Sequence, residues 1–116
     1  IDTIKELYPL RKITGFDTDN LTNHKDVVEM DIRHLSSMRE YDCSIALAIN
    51  DIPIWEHSGP SKMAAYSHAM TNLVEGGYYL ESRKDQYQPD FIYNNKQLKF
   101  IKTIKNIIVF QRISVT

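Results

Sequence analysis

The chain has 116 residues, 42% of them hydrophobic and 25% charged, with a net charge of −1 and a single cysteine. That length and composition suit one ordinary globular core, exclude an internal disulfide, and leave no wholly apolar run long enough to span a bilayer. The small net charge hides a dipole: residues 1–56 carry eleven acidic and six basic side chains, whereas residues 83–116 carry seven basic and two acidic. Such asymmetry points to charged partners. No basic-then-apolar leader opens the sequence, so the expected location is cytoplasmic and no membrane partner is expected.

In chain order, residues 2–8 can make one or two helical turns, with Ile1, Ile4 and Tyr8 on one side and Pro9 ending them. Residues 17–26 are polar and turn-rich and read as a loop. Residues 27–35 fit either a strand with Val28, Met30 and Ile32 inward or a helix; the clean period of two favours the strand. In residues 44–49, Ile45, Leu47 and Ile49 alternate with Ser44, Ala46 and Ala48, then Asn50-Asp51 interrupts and Ile52, Ile54 and Trp55 resume. That pattern predicts a hairpin, with Pro53 confining its second strand to an edge or a bulge.

The clearest element is a helix over about 60–75. Ser58-Gly59-Pro60 is a start signal and Gly76-Gly77 a stop signal. At about 100° per residue, Met63, Tyr66, Met70, Leu73 and Val74 share one face, with Ser61, His68, Asn72 and Glu75 opposite. The expected core sets Met63, Tyr66, Met70 and Leu73 against Ile45, Leu47 and Ile49. Residues 78–80 read as a strand start and 82–90 as a loop. For residues 95–106 the sequence allows a hairpin arm or a helix capped by Asn95. The helix is preferred, because Ile101 and Lys102 break strand alternation. Residues 107–115 are a β-branched strand in either case.

Together these elements predict a single α+β domain over residues 1–116: an antiparallel sheet packed by one central amphipathic helix, with short helices at the ends.

Catalytic signals are sparse. His24, His34, His57 and His68 form none of the spacings of a metal site, and no second cysteine supports one. No metal and no cofactor is expected. His57 sits at a strand-to-helix junction, a place where backbone donors and a helix dipole converge. With His68 and Ser58 it makes the candidate catalytic set, as an acid–base pair beside a hydroxyl. The run from His57 to Lys62 lacks the spacing of a phosphate loop.

Binding signals are stronger. Lys96, Lys99, Lys102 and Lys105 recur at every third position, with no carboxylate side chain after Asp90. Tyr78, Tyr79, Tyr87 and Tyr93 cluster within sixteen residues, and Tyr and Trp favour interfaces where one side is apolar and the other wet. The candidate partner-binding set is therefore Trp55, Tyr78, Tyr79, Tyr87, Lys96, Lys99, Lys102 and Lys105. The expectation is a non-enzymatic protein-binding domain, of inhibitor or immunity type, engaging a charged protein partner by electrostatic steering. The alternative is a small hydrolase, such as a nuclease-like toxin domain, using His57 and His68 with a basic groove from Lys96 to Lys105. A third reading is a nucleic-acid-binding module, weakened by the net charge of −1 and the isoelectric point near 6.5.

Overall fold

The computed structural model describes residues 6–7, 9, 14–17, 25–29, 45–52, 59–83 and 89–114. The chain divides into two compact units, Ile1–Ser36 and Ser37–Thr116. In the first, β1 (Gly15–Asp17) pairs in parallel with β2 (Val27–Glu29), and the Gly15 amide donates to the Asp26 carbonyl at 2.8 Å. Glu6 and Leu7 are helical, within the turns expected near the start, and Val27–Glu29 takes the strand reading.

The second unit is α+β. Its strands are β3 (Ile45–Asn50), β4 (Leu73–Ser82), β5 (Leu98–Ile104) and β6 (Ile107–Arg112); its helices are α1 (Gly59–Asn72) and α2 (Asp90–Tyr93). The spatial order is β3-β4-β6-β5. β4 runs antiparallel to β6 and β6 to β5, but β3 and β4 are parallel, joined through α1. The sheet is thus mixed, not the antiparallel sheet expected. β3 ends at Asn50 and pairs with β4; the second arm of the expected hairpin lies, beyond Ile52, outside the described residues. Residues 53–58, including Trp55, lie outside the described residues.

α1 starts where the Gly59-Pro60 signal places it but ends at Asn72, ahead of the two glycines. The chain passes straight into β4, where Leu73 pairs with Ile45 and Tyr78 with Leu47, so residues 74–77 bulge out of the ladder. Gly76 adopts φ +84°, and Gly77 leaves no room for a Cβ, with the Val74 and Ala46 carbonyl oxygens 3.0 and 3.1 Å from where it would lie. The stop signal is real but serves a strand irregularity.

Residues 95–106 form the hairpin arm, not the preferred helix. The Asn95 side chain does not cap a helix. Its Oδ1 accepts from the Gln97 amide at 2.9 Å, and its carbonyl accepts from the Leu98 amide at 3.1 Å. These bonds make a tight turn that launches β5. At the far end Lys105-Asn106 closes a two-residue loop, with Lys105 in the left-handed region at φ 54°. The loop expected over 82–90 ends in the short helix α2, where the Ile92 and Tyr93 amides donate to the Pro89 carbonyl.

The core lies between the sheet and the helices. Ala69, Leu73, Tyr79, Ile92, Leu98, Ile108 and Phe110 are buried together, with Ile45, Ala48, Tyr66 and Met70 packed against them. Aromatic edges knit this face: Tyr66 meets Tyr79 at 5.5 Å and Phe91 at 5.3 Å, and Tyr93 meets Phe110 at 5.3 Å. The buried stripe of α1 runs Lys62, Tyr66, Ala69, Met70, spaced i, i+4, i+7, i+8. Of the expected face Tyr66, Met70 and Leu73 do pack on the core, but Met63 is exposed and Lys62 takes the inward place. Leu47 and Ile49 also point away from the core, which Ile45, Ala48 and Asn50 face instead.

Candidate functional site

Two arrangements of the second unit carry chemistry. The first is a closed polar network at the carboxyl ends of the parallel strands β3 and β4. Asn50 and Glu81 are register partners there. Lys62, one turn into α1, reaches down to them: its Nζ lies 3.2 Å from Glu81 Oε1, with the two side chains 2% and 1% exposed. The ammonium also donates to the carbonyls of Ile52 and of Ser82, the latter at 3.2 Å. The Tyr79 hydroxyl donates to Glu81 Oε2 and accepts from Asn50 Nδ2 at 2.9 Å. Asn50 Nδ2 also reaches the Lys62 carbonyl at 3.0 Å, and its Oδ1 accepts from the Ile52 amide at 3.3 Å. Among the described residues every buried side-chain nitrogen and oxygen has a hydrogen-bond partner. A buried charge pair is tolerable only when its remaining donors and acceptors are met in this way. Buried from solvent, the network ties a helix to two strands.

The second arrangement is the sheet face turned away from α1. Cα partners share a face in a paired ladder. Ala48, Tyr79 and Phe110 therefore project toward the helices, while Leu47, Tyr78 and Gln111 project away. On this open face Leu47, Ile49, Tyr78 and Ile104 are 39%, 47%, 43% and 49% exposed. Leu80, Ile107 and Val109 fill the space between them across β4 and β6.

The lysines reach this face through a bulge. Residues three apart on a regular strand point to opposite sides. In β5, Lys99 pairs with Gln111 and Lys102 with Val109, because an extra residue, Ile101, sits between Phe100 and Lys102. Gln111 and Val109 are two apart, so Lys99 and Lys102 share the open face. Both are exposed, as are Lys96, in the turn before β5, and Lys105, in the loop after it. The ladder of four thus resolves into one pair on the sheet face and one lysine at each end of the strand. None of the register-paired positions on this face carries a carboxylate.

The remaining candidates separate. Tyr79 is fully buried, so it belongs to the core and the polar network and not to a partner surface. Tyr78, its neighbour, stays exposed. Tyr87, Trp55, His57 and Ser58 lie outside the described residues. His68 is half-buried on α1, about 120° around the helix from Lys62. Among the described residues no three of His, Cys, Asp and Glu come together to hold a metal ion, and no helix is long and apolar enough to cross a membrane. The polar network escaped the sequence reading, which placed Asn50 in a turn and gave Lys62 and Glu81 no role. One signal was available: Glu81 is two residues from Tyr79, in the inward phase of the same strand.

No protein-family model matches the chain, and none of the curated proteins is significantly similar to it.

Proposed function

We propose that this chain is a non-enzymatic protein-binding domain, of inhibitor or immunity type, that engages a charged partner through its open sheet face. The observation that carries this reading is the apolar band of Leu47, Ile49, Tyr78 and Ile104 left uncovered beside Lys99 and Lys102. Contiguous exposed apolar surface rimmed by charge marks interaction sites. The basic rim supplies the steering that an acidic partner would feel at a distance. The hydrolase alternative rests on His57 and His68; His68 is on α1, while His57 lies outside the described residues.

The test pairs capture with mutation. Immobilised wild-type chain is compared with Ile49→Asp/Tyr78→Asp, each checked by circular dichroism and a urea melt. Proteins held by the wild type and lost by the folded variant support the reading; identical captured sets overturn it. His57→Ala and His68→Ala leave biological activity nearly unchanged on this reading. Loss of activity in either, with the fold retained, transfers the function to the hydrolase alternative.

A further inference from the structure

A sheet that is apolar on both faces is a middle layer awaiting a second cover. Among the described residues α1 packs on one face and no element packs on the other, where Leu47, Ile49, Tyr78 and Ile104 are exposed; the parallel β3–β4 pair belongs to a type of ladder that is normally covered on both sides. Three physical facts select what fits. First, four strands present about 14 Å of width, three spacings of roughly 4.8 Å, which matches the 10–12 Å diameter of about one helix. Second, the cations lie to one side: Lys99 and Lys102 are both on the edge strand β5, while Leu47 and Ile49 occupy the opposite edge strand β3. Third, no register-paired position on the face answers those cations with a carboxylate.

A second copy of this chain, packed face to face, would bring four lysines and, from the register-paired positions, no acid to the contact, placing like charges together. Single-stranded nucleic acid would find the charge but, among the described residues of this face, one ring to stack on, Tyr78, with aliphatic neighbours.

We propose that the open face docks an amphipathic helix of a partner protein, its apolar stripe on Ile49, Tyr78 and Leu80 and a row of carboxylates along one flank against Lys99 and Lys102. The inference rests on the protein-binding reading above and names its partner's chemistry. The helix completes the second layer in the helix-in-groove manner, with anchors spaced i, i+3, i+4 and i+7.

The test uses the full chain and two fluorescein-labelled helical peptides of about 20 residues, roughly 30 Å long. Both carry the same leucine stripe; one has glutamates along one flank, the other lysines. Anisotropy titrations at about 0.02 M and 0.2 M salt, well below and above one Debye length of screening at this spacing, read the preference. The acidic peptide binds at least about tenfold tighter at low salt, the gap narrows at high salt, and Lys99→Glu/Lys102→Glu inverts it. Equal affinity for both peptides overturns the proposal. So does a concentration-dependent dimer that excludes the peptide, or tighter binding of a single-stranded oligothymidine. If captured partners footprint on Ile49 and Tyr78 while neither peptide binds, the protein-binding reading stands and the acidic helix falls. If neither occurs, both fall.

Discussion

Lys62 and Glu81 stand nineteen residues apart in sequence and 3.2 Å apart in space, joining the first turns of α1 to the end of β4 with both charges shut away from water. Breaking such a pair from one side strands the other charge, whereas removing both leaves only packing and neutral hydrogen bonds to lose. Lys62→Met alone therefore costs about 3–5 kcal/mol, and Lys62→Met/Glu81→Gln costs less than the single change. Urea melts of the three chains check the ordering. A single variant within about 0.5 kcal/mol of wild type would show that the pair does not hold the helix to the sheet.

Leu73 and Met63 separate the observed core from the expected one. Leu73 is buried at the junction of α1 and β4, while Met63 faces outward. Leu73→Ala costs about 2–4 kcal/mol, and Met63→Ala stays within about 0.5 kcal/mol. Equal losses would mean that the inward stripe of α1 is misplaced.

The bulge in β4 makes different demands on its two glycines. At Gly76 the surroundings are open and only the backbone resists a side chain, at φ +84°. Gly76→Ala costs about 1–2 kcal/mol, and Gly76→Asn costs less because Asn tolerates the left-handed region. At Gly77 two backbone oxygens and the Leu73 side chain block the Cβ, so Asn offers no relief there. Thermal melts of the four variants distinguish the cases: Asn should rescue at 76 and fail at 77.

Lys105 holds a left-handed conformation that glycine adopts without strain. Lys105→Gly stabilises the hairpin by about 0.5–1 kcal/mol, and Lys105→Val, β-branched at the same φ, destabilises it. A denaturation midpoint that falls for both would remove the strain argument.

Much of this fold was legible because local chemistry and tertiary structure agreed. Gly59-Pro60 starts α1 where expected, and the β-branched run from Ile107 is a strand. Legibility failed where one local pattern admitted two structures. The lysine spacing of three looks helical, yet it arises in β5 from a strand carrying one extra residue at Ile101. Asn95 looks like a helix cap, yet the same side-chain oxygen closes a turn. The inward stripe of α1 differs at its start because Lys62, not Met63, turns inward, and its burial depends on Glu81 and two backbone carbonyls on other elements. Likewise, that Lys99 and Lys102 share one sheet face depends on the phase set by the bulge, which sequence periodicity does not carry.

The order of the strands also sets a timetable. β6 sits in the interior of the sheet and brings Ile108 and Phe110 to the core, and the Arg112 guanidinium, through Nη1, to the Met70 carbonyl at the end of α1. Yet it comes last of all the elements along the chain. A ribosome adding roughly 5–20 residues per second needs on the order of seconds to travel from the end of β4 to the end of β6. Until β6 joins, β4 lacks its antiparallel neighbour and Tyr79 its contact with Phe110, so the sheet closes only when the last of the described strands is in place.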